Sequence, residues 1–132
     1  MMLQIKMDNF KKYEEQFLFI KENLPEELEN YLLDMAKGLL RLAKARTPKQ
    51  DGDLRRGWEI GELKREGDDL IISVYNKEFY ARFVEYGHKV VINKKTVGYA
   101  PGFYMLTVST KRIRRQIPRR LKKHFDKVLN SL

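Results

Sequence analysis

One long amphipathic segment constrains the fold of this chain more than any other feature. Between Pro25 and Arg46, five apolar residues recur at steps of four, three, four and three: Leu28, Leu32, Met35, Leu39 and Leu42. This spacing puts them on one face of an α-helix. Acidic residues lie near the start of the segment and basic residues toward its end, the order that the helix dipole favours. Pro25 suits the first position of a helix, and Pro48 ends it. The sequence therefore predicts a long helix over 25–46 with one buried face.

The composition indicates one globular domain. A chain of 132 residues with 42% hydrophobic residues has the size and the apolar content for a single core. It contains no cysteine, which excludes disulfides, thiolate nucleophiles and cysteine-based zinc sites. No apolar run approaches the roughly 18 residues of a membrane span. Met1–Phe10 alternates polar and apolar residues, so we expect no secretory signal there. No membrane partner is expected either.

The remaining patterns predict an α+β fold, in which a small antiparallel sheet packs against the long helix and a C-terminal helix. We assign an N-terminal helical segment to 1–24, on a weak pattern in Asp8–Glu22, the sheet and its loops to 54–100, and a basic helix to 103–132. Hairpins are expected across Glu66–Asp69 and across Asn93–Lys95. Phe79–Tyr86 fits a helical turn or a strand. Pro118 predicts a kink or a break in the last helix.

The C-terminal segment holds almost all of the net charge. From Lys111 to Leu132, nine basic residues face one acid, Asp126, and this segment carries +8 of the total of +9. Three interpretations remain open: a solvated helix, a phosphate-binding face for sequence-independent DNA contact, or a face that docks on an acidic partner. No base-reading motif accompanies the charge. The residues predicted to contact DNA or a partner are Arg112, Arg115, Arg119, Arg120 and Lys123.

No pattern indicates catalysis. Glu85 and His88 have a Glu-x-x-His spacing, but Gly87 lies between them and the pair does not recur, so no metal site is expected. Ser73 and Ser109 lack a neighbouring histidine or acid and a Gly-x-Ser-x-Gly elbow. The glycines form no phosphate-binding loop. We expect neither enzymatic activity nor a cofactor or a metal.

Three runs in the middle third resemble a known family in their order and spacing. The first run is Thr47–Trp58, with Thr-Pro, Asp-Gly and Leu-Arg pairs before a tryptophan; the second covers Val74–Asn76 and Tyr80–His88; the third is Pro101–Leu106. Together they resemble the neck, or head–tail joining, proteins of tailed bacteriophages. Many of these are labelled tail components, and they also occur in prophages and in phage-tail-like bacteriocins. The resemblance covers roughly 36–106. Asp51 and Gly57 depart from the family's usual Thr and Ser.

The resemblance implies a virion structural protein that assembles into a ring at the capsid–tail junction. It implies six copies, with twelve as the alternative, and contacts with connector and tail-terminator proteins, in the virion neck or a tail-like particle and in the host cytoplasm during assembly. The implied motif residues are Thr47, Pro48, Gly52, Leu54, Trp58, Gly87, Pro101 and Gly102. The implied subunit contacts are Arg55, Arg56, Glu85 and His88, and a solvated surface remains the alternative for Arg55 and Arg56. The alternative function is a small cytosolic protein that binds DNA non-specifically through the basic helix.

Overall fold

The computed structural model describes residues 1–7 and 24–130, which form the predicted α+β fold. In chain order the described elements are β1 (Met2–Met7), α1 (Leu24–Arg46), α2 (Gly52–Arg56), β2 (Trp58–Ile60), β3 (Lys64–Glu66), β4 (Asp69–Asn76), α3 (Ala81–Tyr86), β5 (Gly87–Ile92), β6 (Lys95–Pro101) and α4 (Met105–Asn130).

The main sheet is built around β4. Strand β1 runs antiparallel to it along one side, from the pair Met2–Tyr75 to the pair Met7–Leu70. Strands β2 and β3 follow one another along the other side, both antiparallel to β4. The Gly61 N–H donates to the Ser73 carbonyl at 2.8 Å, which continues the β2 ladder. We call this interrupted side the β2–β3 edge.

The core lies between β4, α1 and α4. The stripe on α1 is buried as predicted, apart from the half-buried Leu42. Opposite it lie Leu70, Ile72 and Val74, which share one face of β4 because side chains alternate along a strand. Helix α4 comes close to α1 at Gly38, where an added Cβ would lie 3.0 Å from Ile113.

Both predicted hairpins are present, each with a two-residue turn. Gly67, with φ of +59°, lies in the turn between β3 and β4. Asn93 and Lys94, with φ of +52° and +64°, connect β5 to β6. Two consecutive residues with positive φ are typical of the tight turn that matches the twist of a hairpin. Lys95, predicted in the loop, pairs with Ile92 instead.

Two assignments near the chain's ends need correction. The predicted helical segment 1–24 is wrong for Met2–Met7, which forms a strand because its alternating residues pair with the free side of β4. The helical pattern of Asp8–Glu22 lies outside the described residues. Of the kink or break predicted at Pro118, the break does not occur, since α4 continues through it. Pro118 and the residue four before it, Arg114, are both exposed, so water can bond the carbonyl that proline leaves without a donor. Phe79–Tyr86 resolves into helix α3.

Trp58 joins the sheet to the end of α1, as predicted. Its side chain is 2% exposed. Its indole N–H donates to the Thr47 hydroxyl at 2.9 Å, and that hydroxyl donates to the Ala43 carbonyl at 2.7 Å. The Thr-Pro pair therefore ends the helix and also supplies the hydrogen-bond partner that a buried indole needs.

We predict that Trp58→Ala lowers the free energy of unfolding by about 3–5 kcal/mol, the usual cost of truncating a large aromatic residue in a core. Trp58→Phe should cost less than Trp58→Ala, because it keeps one aromatic ring in the core. It still loses the bond to Thr47. Urea denaturation of both variants measures this. A midpoint for Trp58→Ala equal to that of the native chain would show that Trp58 does not hold the core together.

Candidate assembly surfaces

The Thr47–Trp58 motif forms a local scaffold. Asp51 accepts a hydrogen bond from the Leu54 N–H at 2.9 Å and so begins α2. The same carboxylate oxygen accepts from the Tyr80 hydroxyl at 3.0 Å. Burial, together with this bond to Asp51, raises the pKa of Tyr80 to about 12. The buried Asn76 side chain donates to the Leu54 carbonyl at 2.7 Å. These bonds connect α2 with the end of β4 and the start of α3.

The glycines and the proline of this motif have positional roles. Pro48 follows the buried Thr47, and Gly52 is the first residue of α2. At Gly57 a Cβ would lie 2.5 Å from the Asn76 side-chain oxygen, so no larger residue fits without displacing Asn76.

Arg55 and Arg56 lie on the exposed side of α2. Arg56 pairs with Asp53 at 2.6 Å, a contact between two exposed side chains of the same short helix. Exposed pairs of this kind contribute little to stability. Both arginines are accessible to a neighbouring subunit, and their role there stays a prediction.

Glu85, which was predicted to contact a neighbouring subunit, lies inside its own subunit. Its side chain is fully buried, and its carboxylate accepts the Leu106 N–H at 2.7 Å and the Thr107 N–H at 2.9 Å. These amides belong to the first turn of α4, where N–H groups lack partners within the helix and an anion is favoured by the helix dipole. Glu85 therefore anchors α4 within the subunit, and its carboxylate is not available for the predicted contact with a neighbour.

Backbone contacts next to Glu85 fix the base of the β5–β6 hairpin. Gly87 has φ of +82°, a conformation that favours glycine. At Gly102, which follows Pro101 at the end of β6, a Cβ would lie 2.5 Å from the Glu85 carbonyl. The Phe103 N–H donates to the Val84 carbonyl at 2.8 Å, and the Arg46 side chain donates to the Phe103 carbonyl at 3.0 Å. The chain is thus held where it enters and leaves the hairpin.

The β5–β6 hairpin itself, residues 87–101, is exposed almost throughout, and we call it the arm. Its exposed large apolar side chains are Val90, Val91, Ile92, Val97 and Tyr99. It also holds three lysines and no acid. A two-stranded ribbon without a further layer is at best marginally stable in water. His88, a predicted subunit contact, is exposed at the base of the arm, where its ring meets Phe83 edge-on at 6.1 Å.

Helix α4 presents a basic face on the side away from α1. Exposed side chains at spacings of one, three and four residues make up this face: Lys111, Arg112, Arg115, Arg119, Lys122 and Lys123. Lys122 pairs with Asp126 at 2.8 Å. The predicted contact residues Arg112, Arg115, Arg119 and Lys123 all lie on this face.

Arg120 was also predicted to contact DNA or a partner, but it does not lie on the basic face. It points toward α1, where it pairs with Asp34 at 3.1 Å and bonds the Gln116 side chain at 2.9 Å. Its position seven residues after the buried Ile113 puts it on the inner face of the helix.

A charged cluster between α1 and α4 was not predicted from the sequence. His124 contacts Glu27 at 2.5 Å through Nδ1 and Asp34 at 3.2 Å through Nε2. Burial alone would raise the pKa of each carboxyl group. The bonds from His124, with Lys127 near Glu27 and Arg120 near Asp34, outweigh burial and hold both pKa values below their ordinary range. His124 is 97 residues from Glu27 and 90 from Asp34 in the chain, so no sequence pattern indicates the contact.

Neither a metal centre nor a membrane helix is found in the described ranges. No group of three or more histidine, aspartate or glutamate residues there is placed to hold a metal ion. None of the helices in 24–130 is long and apolar enough to cross a membrane.

Comparison with known families decides what kind of protein this is. The model of the HK97-gp10-like family, described as "Bacteriophage HK97-gp10, putative tail-component", matches residues 8–87, more than half of the chain. The chain belongs to this family. The predicted resemblance is thereby confirmed, and the HK97-gp10-like protein has the general role of a phage tail component. No curated protein and no solved structure matches it significantly.

The end of the family match separates most of the core of this HK97-gp10-like protein from the arm and α4. The match ends at Gly87, the first residue of the arm. The core helix α1, the Thr47–Trp58 motif and the Glu85 anchor lie inside the matched range. Most of the arm and all of α4 lie beyond it.

Proposed function

We propose that this HK97-gp10-like protein is a structural subunit of a closed homo-oligomeric ring at the junction of capsid and tail. It serves there as a neck, head–tail connector or tail-completion protein. The observation that carries the proposal, beside family membership, is the arm. Its apolar side chains extend from the subunit without a covering layer in the described structure, and Tyr99 is 70% exposed. Contiguous exposed apolar surface of this kind typically marks a protein–protein contact.

A ring follows from contacts between unlike surfaces. When one surface of a subunit binds a different surface of the next, an open chain of subunits always has one unbound surface of each kind at its ends. Both are bound only when the assembly closes into a ring. A self-complementary contact would stop at a dimer. The arm is an extended element that can contact a neighbouring subunit. The symmetry expected of phage necks favours six copies, with twelve as the alternative.

The ring's partners and location follow from the same role. We propose that its faces contact connector and tail-terminator proteins, in the neck of a virion or a tail-like particle, after assembly in the host cytoplasm. The function is structural and requires neither catalysis nor a cofactor.

We predict a closed ring in electron micrographs of purified particles at the head–tail junction, and of the isolated protein at high concentration. Gel filtration with light scattering of the isolated protein should give a discrete species of six or twelve copies, separated from the monomer. A closed two-fold dimer that never forms rings and is absent from assembled necks would contradict the proposal.

A second function, non-specific DNA contact, is favoured by the basic face of α4. Its first and last lysines, Lys111 and Lys123, are twelve residues apart, about 18 Å along the helix axis. Duplex DNA carries one charge per ~1.7 Å of its axis, so such a face can meet several phosphates. DNA passes through a phage neck, which gives this contact a place beside the ring role.

We predict weak, sequence-independent DNA binding whose affinity falls by roughly 10³-fold or more between 50 and 200 mM salt, if six or more phosphates are neutralised. Arg115→Gln and Arg119→Gln should each lower the salt slope by about one. Arg41→Gln, at an exposed position of α1, is the matched control. Fluorescence anisotropy with several unrelated duplexes measures this. Tight binding to one sequence that survives high salt would exclude a structural role and favour a regulator.

A further inference from the structure

We propose that the arm of one copy docks along the β2–β3 edge of the next copy, head to tail. This inference rests on the proposed ring and names the two surfaces that form it.

The arm needs a partner that covers apolar side chains. Val91, Ile92 and Val97 are each 57–58% exposed, and these residues stand on both strands of the ribbon. Apart from its base, where α3 packs against β5, the arm has solvent on most sides. A partner strand would stabilise the ribbon by adding a third strand, and its side chains would contact those of the adjoining arm strand on the same face.

Charge complementarity points to a second copy as that partner. The arm holds Lys89, Lys94 and Lys95 and no acid. The segment from Trp58 to Leu70, which contains the β2–β3 edge, holds five acids and two bases. The arm thus has a net charge of +3 and the edge segment a net charge of −3. Opposed charges of this kind fix the register of a contact and suppress wrong partners.

The acids are presented to solvent where an arm could meet them. Glu62, Glu66 and Asp68 are exposed, as are the three arm lysines. Asp69 instead pairs with Lys6 of β1 at 2.9 Å and belongs to the subunit's own sheet. Glu59 likewise contacts Lys77 at 3.6 Å. The acids left to meet the arm are therefore Glu62, Glu66 and Asp68, beside the exposed bases Lys64 and Arg65.

The backbone of the edge also fits an added strand. Strands β2 and β3 pair with β4 on one side, and no strand of the described residues pairs with their other side. Each strand of the arm likewise has one paired side. Unpaired strand edges readily accept a further strand, in which main-chain bonds give affinity and side chains give specificity.

The acidic end of the edge, at Glu66 and Asp68, lies at the opposite end of β4 from Asn76, where β2 pairs and after which the chain continues to the arm. Glu66 and Asp68 adjoin Asp69, the first residue of β4. The chain enters α3 and the arm after Asn76, the last residue of β4, about 23 Å away along the strand. A docked arm leaves the first copy's edge and the second copy's arm open, which is the arrangement that closes into a ring.

Carbodiimide cross-linking of the native chain tests the contact, because this reagent joins a lysine to a carboxylate only where the two touch. An equal mixture of ¹⁴N- and ¹⁵N-labelled protein at high concentration identifies links between copies by mass spectrometry. We expect mixed-isotope links between the arm lysines and Glu62, Glu66 or Asp68. Their absence, or links confined to one isotope, would overturn the proposal.

Charge exchange provides the second measurement. Lys94→Glu with Lys95→Glu should reduce oligomer formation at least tenfold, and so should Glu66→Lys with Asp68→Lys. A mixture of the two variants should assemble again, because each then meets a complementary surface on the other. Lys37→Glu with Arg41→Glu, at exposed positions of α1, is the matched control and should assemble normally.

The outcomes separate this inference from the proposed function. Rings that form without arm–edge links, or that tolerate the arm substitutions, would refute the docking mode and leave the ring intact. Arm–edge links in open chains that never close would support the docking mode and refute the ring.

Discussion

The buried carboxylate of Glu85 is the interaction on which the outer part of this subunit depends. It bonds two amides of the first turn of α4 and so fixes where the helix begins and how it leaves the sheet. The Val84 and Glu85 carbonyls accept hydrogen bonds from the Phe103 and Tyr104 N–H groups. The arm therefore begins and ends beside Glu85, at Gly87 and Gly102. A buried charge is costly unless its hydrogen bonds are satisfied, and here the helix terminus satisfies them. The arm and the basic face are therefore oriented by one anchor.

The subunit combines a closed core with surfaces that remain open. Trp58 and Thr47 connect the sheet to α1, while Glu27, Asp34, Arg120 and His124 connect α1 to α4. The arm, in contrast, places apolar side chains in water. This division suits an assembly protein, and in the proposed ring the next copy would supply the arm's covering layer. The proposed DNA contact uses another surface, the basic face, so the two roles do not compete.

Local patterns in the sequence predicted much of the fold. The apolar period of α1, the glycine in the first hairpin and the place of Trp58 each follow from neighbouring residues, and all three predictions are confirmed. The Glu85 anchor could not be predicted this way, because its partners lie 21 and 22 residues later and bond through backbone amides that any residue possesses. Two errors were avoidable: Arg120 shares the helical face of Ile113, and Met2–Met7 has the alternation of a strand.

Hydrogen exchange of residues 87–101, measured by mass spectrometry in the dissociated and the assembled protein, tests the central claim most directly. That claim is that a complete core presents an arm which another copy must cover. We predict that the arm amides exchange rapidly in the free subunit and become protected on assembly, together with those of 59–66. Core amides of α1 and β4 should be protected in both states. Equal exchange of the arm in both states, or new protection confined to other surfaces, would contradict the account.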